Sequence, residues 1–112
     1  MSQITSHVLN TTTGKPAPGI TVVLYHGEND RWSETARGIT NDDGRLTDLL
    51  NRETVLRKGM YKLRFETKDF FDQAHTATFY PYVEIVFDIQ NNDHYHIPLL
   101  LSAFGYTTYR GS

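Results

Sequence analysis

His94-Tyr95-His96-Ile97-Pro98-Leu99-Leu100-Leu101-Ser102-Ala103-Phe104-Gly105-Tyr106-Thr107-Thr108-Tyr109-Arg110-Gly111-Ser112 is the stretch from which the fold is most directly read. It reads as a strand, a tight turn and a second strand. Side chains on a strand alternate between its two faces. One face of the first strand therefore carries Tyr95, Ile97, Leu99 and Leu101, a set suited to a hydrophobic core. The other carries His94, His96, Pro98, Leu100 and Ser102. Titratable imidazoles on a rigid element suit catalysis. Pro98 has no N–H to give to a ladder, so the spacing predicts an interruption of pairing where its nitrogen points.

The same alternation recurs upstream. Ile4 to Leu9 places Ile4, Ser6 and Val8 on one face and Thr5, His7 and Leu9 on the other. Ile20 to Tyr25 is a second strand, and the polar run Trp32 to Thr40 suits a sheet edge. Gly59 to Thr67 turns Tyr61, Leu63 and Phe65 inward and Lys62, Arg64 and Glu66 outward. In Tyr82 to Ile89 the inward residues are Val83, Ile85, Phe87 and Ile89. Lys68 to Ala74 lacks a strand pattern and reads as one or two helical turns, while Leu46 to Lys58 fits either a strand with a polar loop or a helical turn. Turn clusters stand between these runs: Asn10 to Gly19, and Asn41-Asp42-Asp43-Gly44. Seven or eight short strands separated by turns predict an all-β chain, an antiparallel sandwich or barrel.

With 112 residues, the expectation is one domain spanning 1–112. The net charge of −2 gives no electrostatic argument for nucleic acid or for an anionic membrane. Ile97 to Ala103, the longest apolar run, is too short to span a bilayer and is broken by Pro98. Met1-Ser2-Gln3-Ile4-Thr5 lacks a charged and an apolar signal region, so the expected location is cytoplasmic, with a periplasmic precursor as the alternative. The chain has no cysteine, which removes disulfides, thiolate metal sites and a cysteine nucleophile.

His7 and His96 lie on the outward faces of their strands and would converge if those strands were neighbours. His94-x-His96 also has the spacing of some zinc sites, but a third ligand from His7, an Asp or a Glu would be needed, and no HExxH or Cys/His framework supports it. The expectation is no metal and no cofactor. His26 and His75 read as surface residues in loops. No Gly-x-Ser-x-Gly elbow supports a serine nucleophile. Arg45 after the Asn-Asp-Asp-Gly turn reads by default as solvated; Arg110, beside a glycine near the end of the sequence, is more suggestive.

Three blocks together resemble the transthyretin-like 5-hydroxyisourate hydrolases. They are Thr5-Ser6-His7-Val8-Leu9-Asn10 with Gly14-Lys15-Pro16-Ala17-Pro18-Gly19; Thr40-Asn41-Asp42-Asp43-Gly44-Arg45; and His94 to Ser102 running into Tyr106-Thr107-Thr108-Tyr109-Arg110-Gly111-Ser112. The related hormone carriers lack both the terminal Tyr-Arg-Gly-Ser and the histidine matched by His7. Departures are mild: Asn10 where the family often has Asp, Ala103 where Pro is common, Thr107 where Ser is common.

The resemblance implies a two-sheet sandwich of eight strands and one short helix. It further implies a homotetramer, a dimer of dimers, with active sites in a central channel. The implied substrate is the purine-derived 5-hydroxyisourate, opened by water at its N1–C6 amide in urate catabolism without metal or cofactor. Carried over, the catalytic set is His7, Arg45, His96 and Ser112. Substrate binding falls to His7, Arg45, Tyr109, Arg110 and Gly111. The rival is a transthyretin-like carrier of a small aromatic ligand, with no chemistry; a third reading is a sandwich used only for protein–protein contact.

Overall fold

The computed structural model describes residues 1–112 as two packed sheets and one short helix. The first sheet is built on β1 (Ile4–Asn10) and β8 (Tyr95–Ser102), the two strands whose alternation is cleanest. Between them in sequence come β2 (Lys15–Pro16), β3 (Thr21–Glu28), β4 (Arg31–Ile39), β5 (Arg45–Leu46), β6 (Gly59–Phe65), α1 (Thr67–Gln73) and β7 (Val83–Ile89); β9 (Gly105–Thr108) follows. One sheet runs β2-β1-β8-β9, with β5 also on the free side of β1; the other runs β4-β3-β6-β7. The nine strands include two of only two residues, β2 and β5. Pairing is antiparallel except between β1 and β8, which run parallel over seven register pairs from Ile4–Tyr95 to Asn10–Leu101.

The inward faces meet between the sheets. Ile4, Val8, Leu24, Leu63, Phe65, Val83 and Leu99 are completely buried there. Each full burial of such a side chain is worth about 1.5–3 kcal/mol, so this face fixes the register of β1, β3, β6, β7 and β8: a slip by one residue would turn the core set to solvent. That constraint also fixes the opposite, outward face, on which Thr5, His7 and His96 stand.

His26 is not in a loop: it lies inside β3, which extends to Glu28, and its ring stacks on Tyr61 with centroids 4.8 Å apart. His75 is exposed in a turn, as expected, and takes the left-handed conformation, φ 53°, just after α1. Lys62 faces outward but is buried. Its ammonium lies over Trp32 and Tyr25, 4.4 and 5.1 Å from the ring centroids, and 3.1 Å from Glu84. The aromatic rings cover the charge on a face that strand alternation alone assigns to solvent. Of Leu46 to Lys58, only Leu46 is in a strand; Leu49 is buried and the rest is irregular.

Pro98 sits opposite the gap expected for it. Leu99 pairs with Thr108 and His96 with Gly111, in one continuous antiparallel register, while Tyr109 and Arg110 fall outside the ladder. The Gly111 N–H donates to the His96 carbonyl at 2.8 Å. Even-numbered residues of β8 therefore turn their backbone polar groups toward the terminal segment, and the donorless nitrogen of Pro98 faces Tyr109.

Candidate active site

Three neighbouring backbones carry the outward-facing groups. Parallel pairing of β1 with β8 sets Thr5 beside His96 and His7 beside Pro98. Antiparallel pairing with β5 sets Arg45 beside His7. The bridge to Gly111 adds the last residues on the far side of His96. Residues from positions 5–7, 45, 94–98 and 111–112 thus meet on one sheet face although they are far apart in sequence.

The Asn41–Gly44 turn has a positional role beyond reversing the chain. The Asn41 side-chain oxygen accepts from the backbone N–H groups of Asp43 (2.9 Å) and Arg45 (3.0 Å). The Gly44 carbonyl accepts from the Val8 N–H at 2.8 Å. Gly44 has φ +71°, and a Cβ there would fall on the Val8 carbonyl oxygen, so glycine is required on both counts. The turn delivers Arg45 to β1 and offers the Asp43 carbonyl to His7. A carbonyl can only accept, so the 3.1 Å contact is a hydrogen bond donated by His7 Nε2. Nδ1 is then the nitrogen of His7 left free in the neutral ring.

His96 is held from two sides. Its Nδ1 is 2.8 Å from the Thr5 hydroxyl. On its other edge, Cδ2 would be 2.5 Å from a Cβ at position 111, so only glycine lets the terminal backbone close against the ring. Thr5 is buried and its hydroxyl also lies 2.8 Å from His94 Nε2. The alternation had put Thr5 on the same face as His7, but nothing in its residue type marked it. Burial holds the His96 pKa below the ordinary imidazole range, helped by Coulombic interaction with His94, Arg45 and His7 and opposed by hydrogen bonding to the Thr5 backbone. His96 is consequently neutral near pH 7, able to take up a proton.

Thr5, Arg45, Thr47, His94, His96 and Ser112 line a cavity of about 130 Å³, together with Met1 and Ser6. Arg45 makes no ion pair, which leaves its guanidinium available to an anion or a developing oxyanion. His7 lies beside Arg45 on the same face but does not line this cavity. Tyr109 and Arg110 border a separate, larger cavity of about 410 Å³ between the β7 and β9 edges, which His96 also touches. The Arg110 guanidinium stacks on Tyr95, 4.4 Å from the ring centroid. Gly111 lies between the two cavities, against His96. The larger cavity is the more apolar, but the smaller one holds the imidazole, guanidinium and hydroxyl groups that chemistry requires.

The two histidines of the His94-x-His96 pair direct ring nitrogens at the same Thr5 hydroxyl, and no group of three or more His, Asp or Glu side chains is arranged to hold a metal ion.

Residues 4–111 match the model of the HIUase/Transthyretin family. The chain is 43% identical to the 5-hydroxyisourate hydrolase of Mus musculus over 114 residues, covering 99% of this chain and 96% of the mouse protein. Its structure superposes on the 5-hydroxyisourate hydrolase of Klebsiella pneumoniae with a TM-score of 0.86 and 34% identity, over 97% of this chain and 98% of the other. It superposes on sea bream transthyretin in complex with thyroxine with a TM-score of 0.90 and 28% identity, over 97% and 94%. Backbone similarity therefore does not separate an enzyme from a carrier, and the distinction must come from the side chains. On this evidence the chain belongs to the HIUase/Transthyretin family.

Proposed function

We propose that this chain is a 5-hydroxyisourate hydrolase, a cyclic amidase of urate degradation, and that His7, Arg45, His96 and Ser112 carry its chemistry. The observation that carries the reading is a neutral imidazole, an unpaired guanidinium and a hydroxyl converging on one cavity of a fold whose relatives include named 5-hydroxyisourate hydrolases. A carrier would use the same sandwich but has no need of imidazoles fixed by hydrogen bonds.

In the reaction, water oxygen bonds to C6 of the substrate and the C6–N1 bond breaks. The water gives up a proton as it attacks, and N1 gains one as it leaves; the product is 2-oxo-4-hydroxy-4-carboxy-5-ureidoimidazoline. His96 Nε2, at the outer end of a ring anchored through Nδ1, accepts the water proton. Arg45 stabilises the oxyanion that forms on the C6 carbonyl. The His96 imidazolium so formed returns that proton to N1 as the C6–N1 bond breaks, and His7, held through Nε2, presents a bare Nδ1 on the neighbouring strand as an acceptor that orients the water or a substrate N–H. Ser112 supplies a hydroxyl at the cavity wall and Gly111 closes against His96, while Tyr109 and Arg110 would meet substrate only from the neighbouring 410 Å³ cavity that His96 also borders. Positioned acid–base groups of this kind are worth about 10²–10⁴-fold each.

The reading extends to assembly as a homotetramer, a dimer of dimers. Support comes from two unpaired strand edges, β7 and β9, that border the same 410 Å³ cavity. Unpaired edges invite pairing with a second copy. The outward face bearing His7 and His96 would then be enclosed between dimers, giving the charged groups a site with less bulk water. Taken as a single unit, residues 1–112 would contribute one copy of each functional group.

The test is product identification. 5-Hydroxyisourate generated in situ by enzymatic oxidation of urate is followed by NMR with and without the protein, in parallel with sedimentation analysis of its mass. Accelerated appearance of the ring-opened ureidoimidazoline by a tetramer is the expected result. Unchanged substrate lifetime with tight, saturable binding would instead support the carrier.

A further inference from the structure

One hydroxyl stands between two imidazoles. Thr5 Oγ1 is 2.8 Å from His94 Nε2 and 2.8 Å from His96 Nδ1. The threonine itself is 2% exposed, so its hydroxyl depends on these two partners. A hydroxyl has a single proton and can donate to only one of the two nitrogens. The other nitrogen must then carry a hydrogen and donate to the oxygen. Two donating nitrogens would leave the buried hydroxyl hydrogen with neither imidazole as acceptor, so with both rings neutral the arrangements that use the hydroxyl as both donor and acceptor couple the tautomers in opposition.

Two arrangements satisfy this count. In the first, His96 Nδ1–H donates to Thr5, and Thr5 donates to a bare His94 Nε2. In the second, His94 Nε2–H donates to Thr5, and Thr5 donates to a bare His96 Nδ1. The proton chemistry at His96 selects between them. To take a proton at Nε2, the neutral ring must hold its existing hydrogen on Nδ1. The imidazolium formed next also holds a hydrogen on Nδ1. The first arrangement therefore serves the whole cycle without any rotation of the hydroxyl, whereas the second blocks the first step.

Resting on the hydrolase reading above, we propose that Thr5 is a positioning residue whose shared hydroxyl holds His96 in the Nδ1–H tautomer, with His94 Nε2 as the acceptor that orients the hydroxyl. Neither residue need touch substrate to act in this way. The register is suited to the task, because Thr5 is the direct Cα partner of His96 across the parallel β1–β8 pair. The imidazole is thus oriented by a neighbouring strand rather than by a mobile loop.

The experiment has two readouts. The first is the ¹⁵N–¹H correlation pattern of the His94 and His96 rings in the uniformly labelled wild-type protein near neutral pH, which reports the tautomers directly. The expected pattern has hydrogen on His96 Nδ1 and a bare His94 Nε2. The second is kinetic. Thr5→Val keeps the shape and removes the hydroxyl; it should lower kcat at least ~10-fold with little change in KM, while Thr5→Ser restores kcat to within a few-fold of wild type. A wild-type His96 with its hydrogen on Nε2, or a folded Thr5→Val enzyme with wild-type kcat, would overturn the proposal. If Thr5→Val does not fold, the wild-type spectrum still decides. A hydrolase whose His96 is in the wrong tautomer contradicts the role of Thr5 alone, whereas a protein that does not open the substrate contradicts the hydrolase reading and this role with it.

Discussion

Gly111 and His96 are in contact because position 111 has no side chain. The Gly111 N–H donates to the His96 carbonyl at 2.8 Å, and a Cβ at 111 would lie 2.5 Å from Cδ2 and 3.2 Å from Cγ of the imidazole. The terminal segment therefore forms one wall of the His96 pocket. The close approach fixes the ring on one edge while Thr5 fixes it on the other.

Gly111→Ala should accordingly displace the imidazole or detach the terminal segment. The φ at this position is not of the kind that demands glycine, so the effect is local crowding and not backbone strain. The expected result is a fall in kcat of ~10-fold or more with a melting temperature within a few degrees of wild type. Steady-state kinetics beside a thermal melt would check both halves.

The depressed pKa of His96 sets an expectation for pH. Because burial first, and nearby positive charge second, disfavour the imidazolium, His96 should stay neutral below the ordinary value of about 6.5. The acid limb of kcat/KM assigned to this residue should lie below that value. Linkage has the same sign: the unfolded chain takes up a proton at His96 before the folded chain does. Stability is thereby lost as pH falls from about 6.5 through the folded pKa, with no effect from this group above that window. An NMR titration of the His96 ring tests this; a midpoint at or above 6.5 would contradict it.

Much of the architecture could be read from side-chain alternation. The core faces of β1, β6 and β8 follow from Ile4/Val8, Tyr61/Leu63/Phe65 and Tyr95/Ile97/Leu99/Leu101, because one residue of slip would expose them all. The burial of Lys62 was not legible, since it depends on Trp32 and Tyr25 from other strands closing over the ammonium. His26 misled for a related reason: Gly27 and the Asn29-Asp30 turn beside it resemble a loop, yet the strand runs on to Glu28, just short of that turn, pairing with β4 and β6. Within the site, His7, Arg45 and His96 carry recognisable chemistry. Thr5 and Asn41 do not, because a threonine in a strand and an asparagine before a turn have ordinary explanations. Only the parallel pairing of β1 with β8, a tertiary fact, brings the Thr5 hydroxyl to two imidazoles.

The chain ends give a further expectation. Deleting Tyr109 to Ser112 removes the Gly111–His96 bond and the Ser112 hydroxyl together, so activity should drop by orders of magnitude while the sandwich core stays intact. Met1 also borders the 130 Å³ cavity, although it is 74% exposed. A bulky N-terminal extension is therefore not neutral by position, and removing such a tag should raise kcat/KM. Kinetics of tagged, cleaved and truncated proteins, with circular dichroism for the fold, would separate these effects.

The most direct measurement follows the ultraviolet decay of freshly generated 5-hydroxyisourate with wild-type protein, His7→Ala and His96→Ala at matched concentrations. The wild-type rate should be proportional to protein concentration and far above spontaneous decay. Each histidine variant should remain folded and fall by about 10²–10⁴-fold. Wild-type protein that leaves the spontaneous rate unchanged, or folded variants that both retain near-normal turnover, would contradict the proposed chemistry.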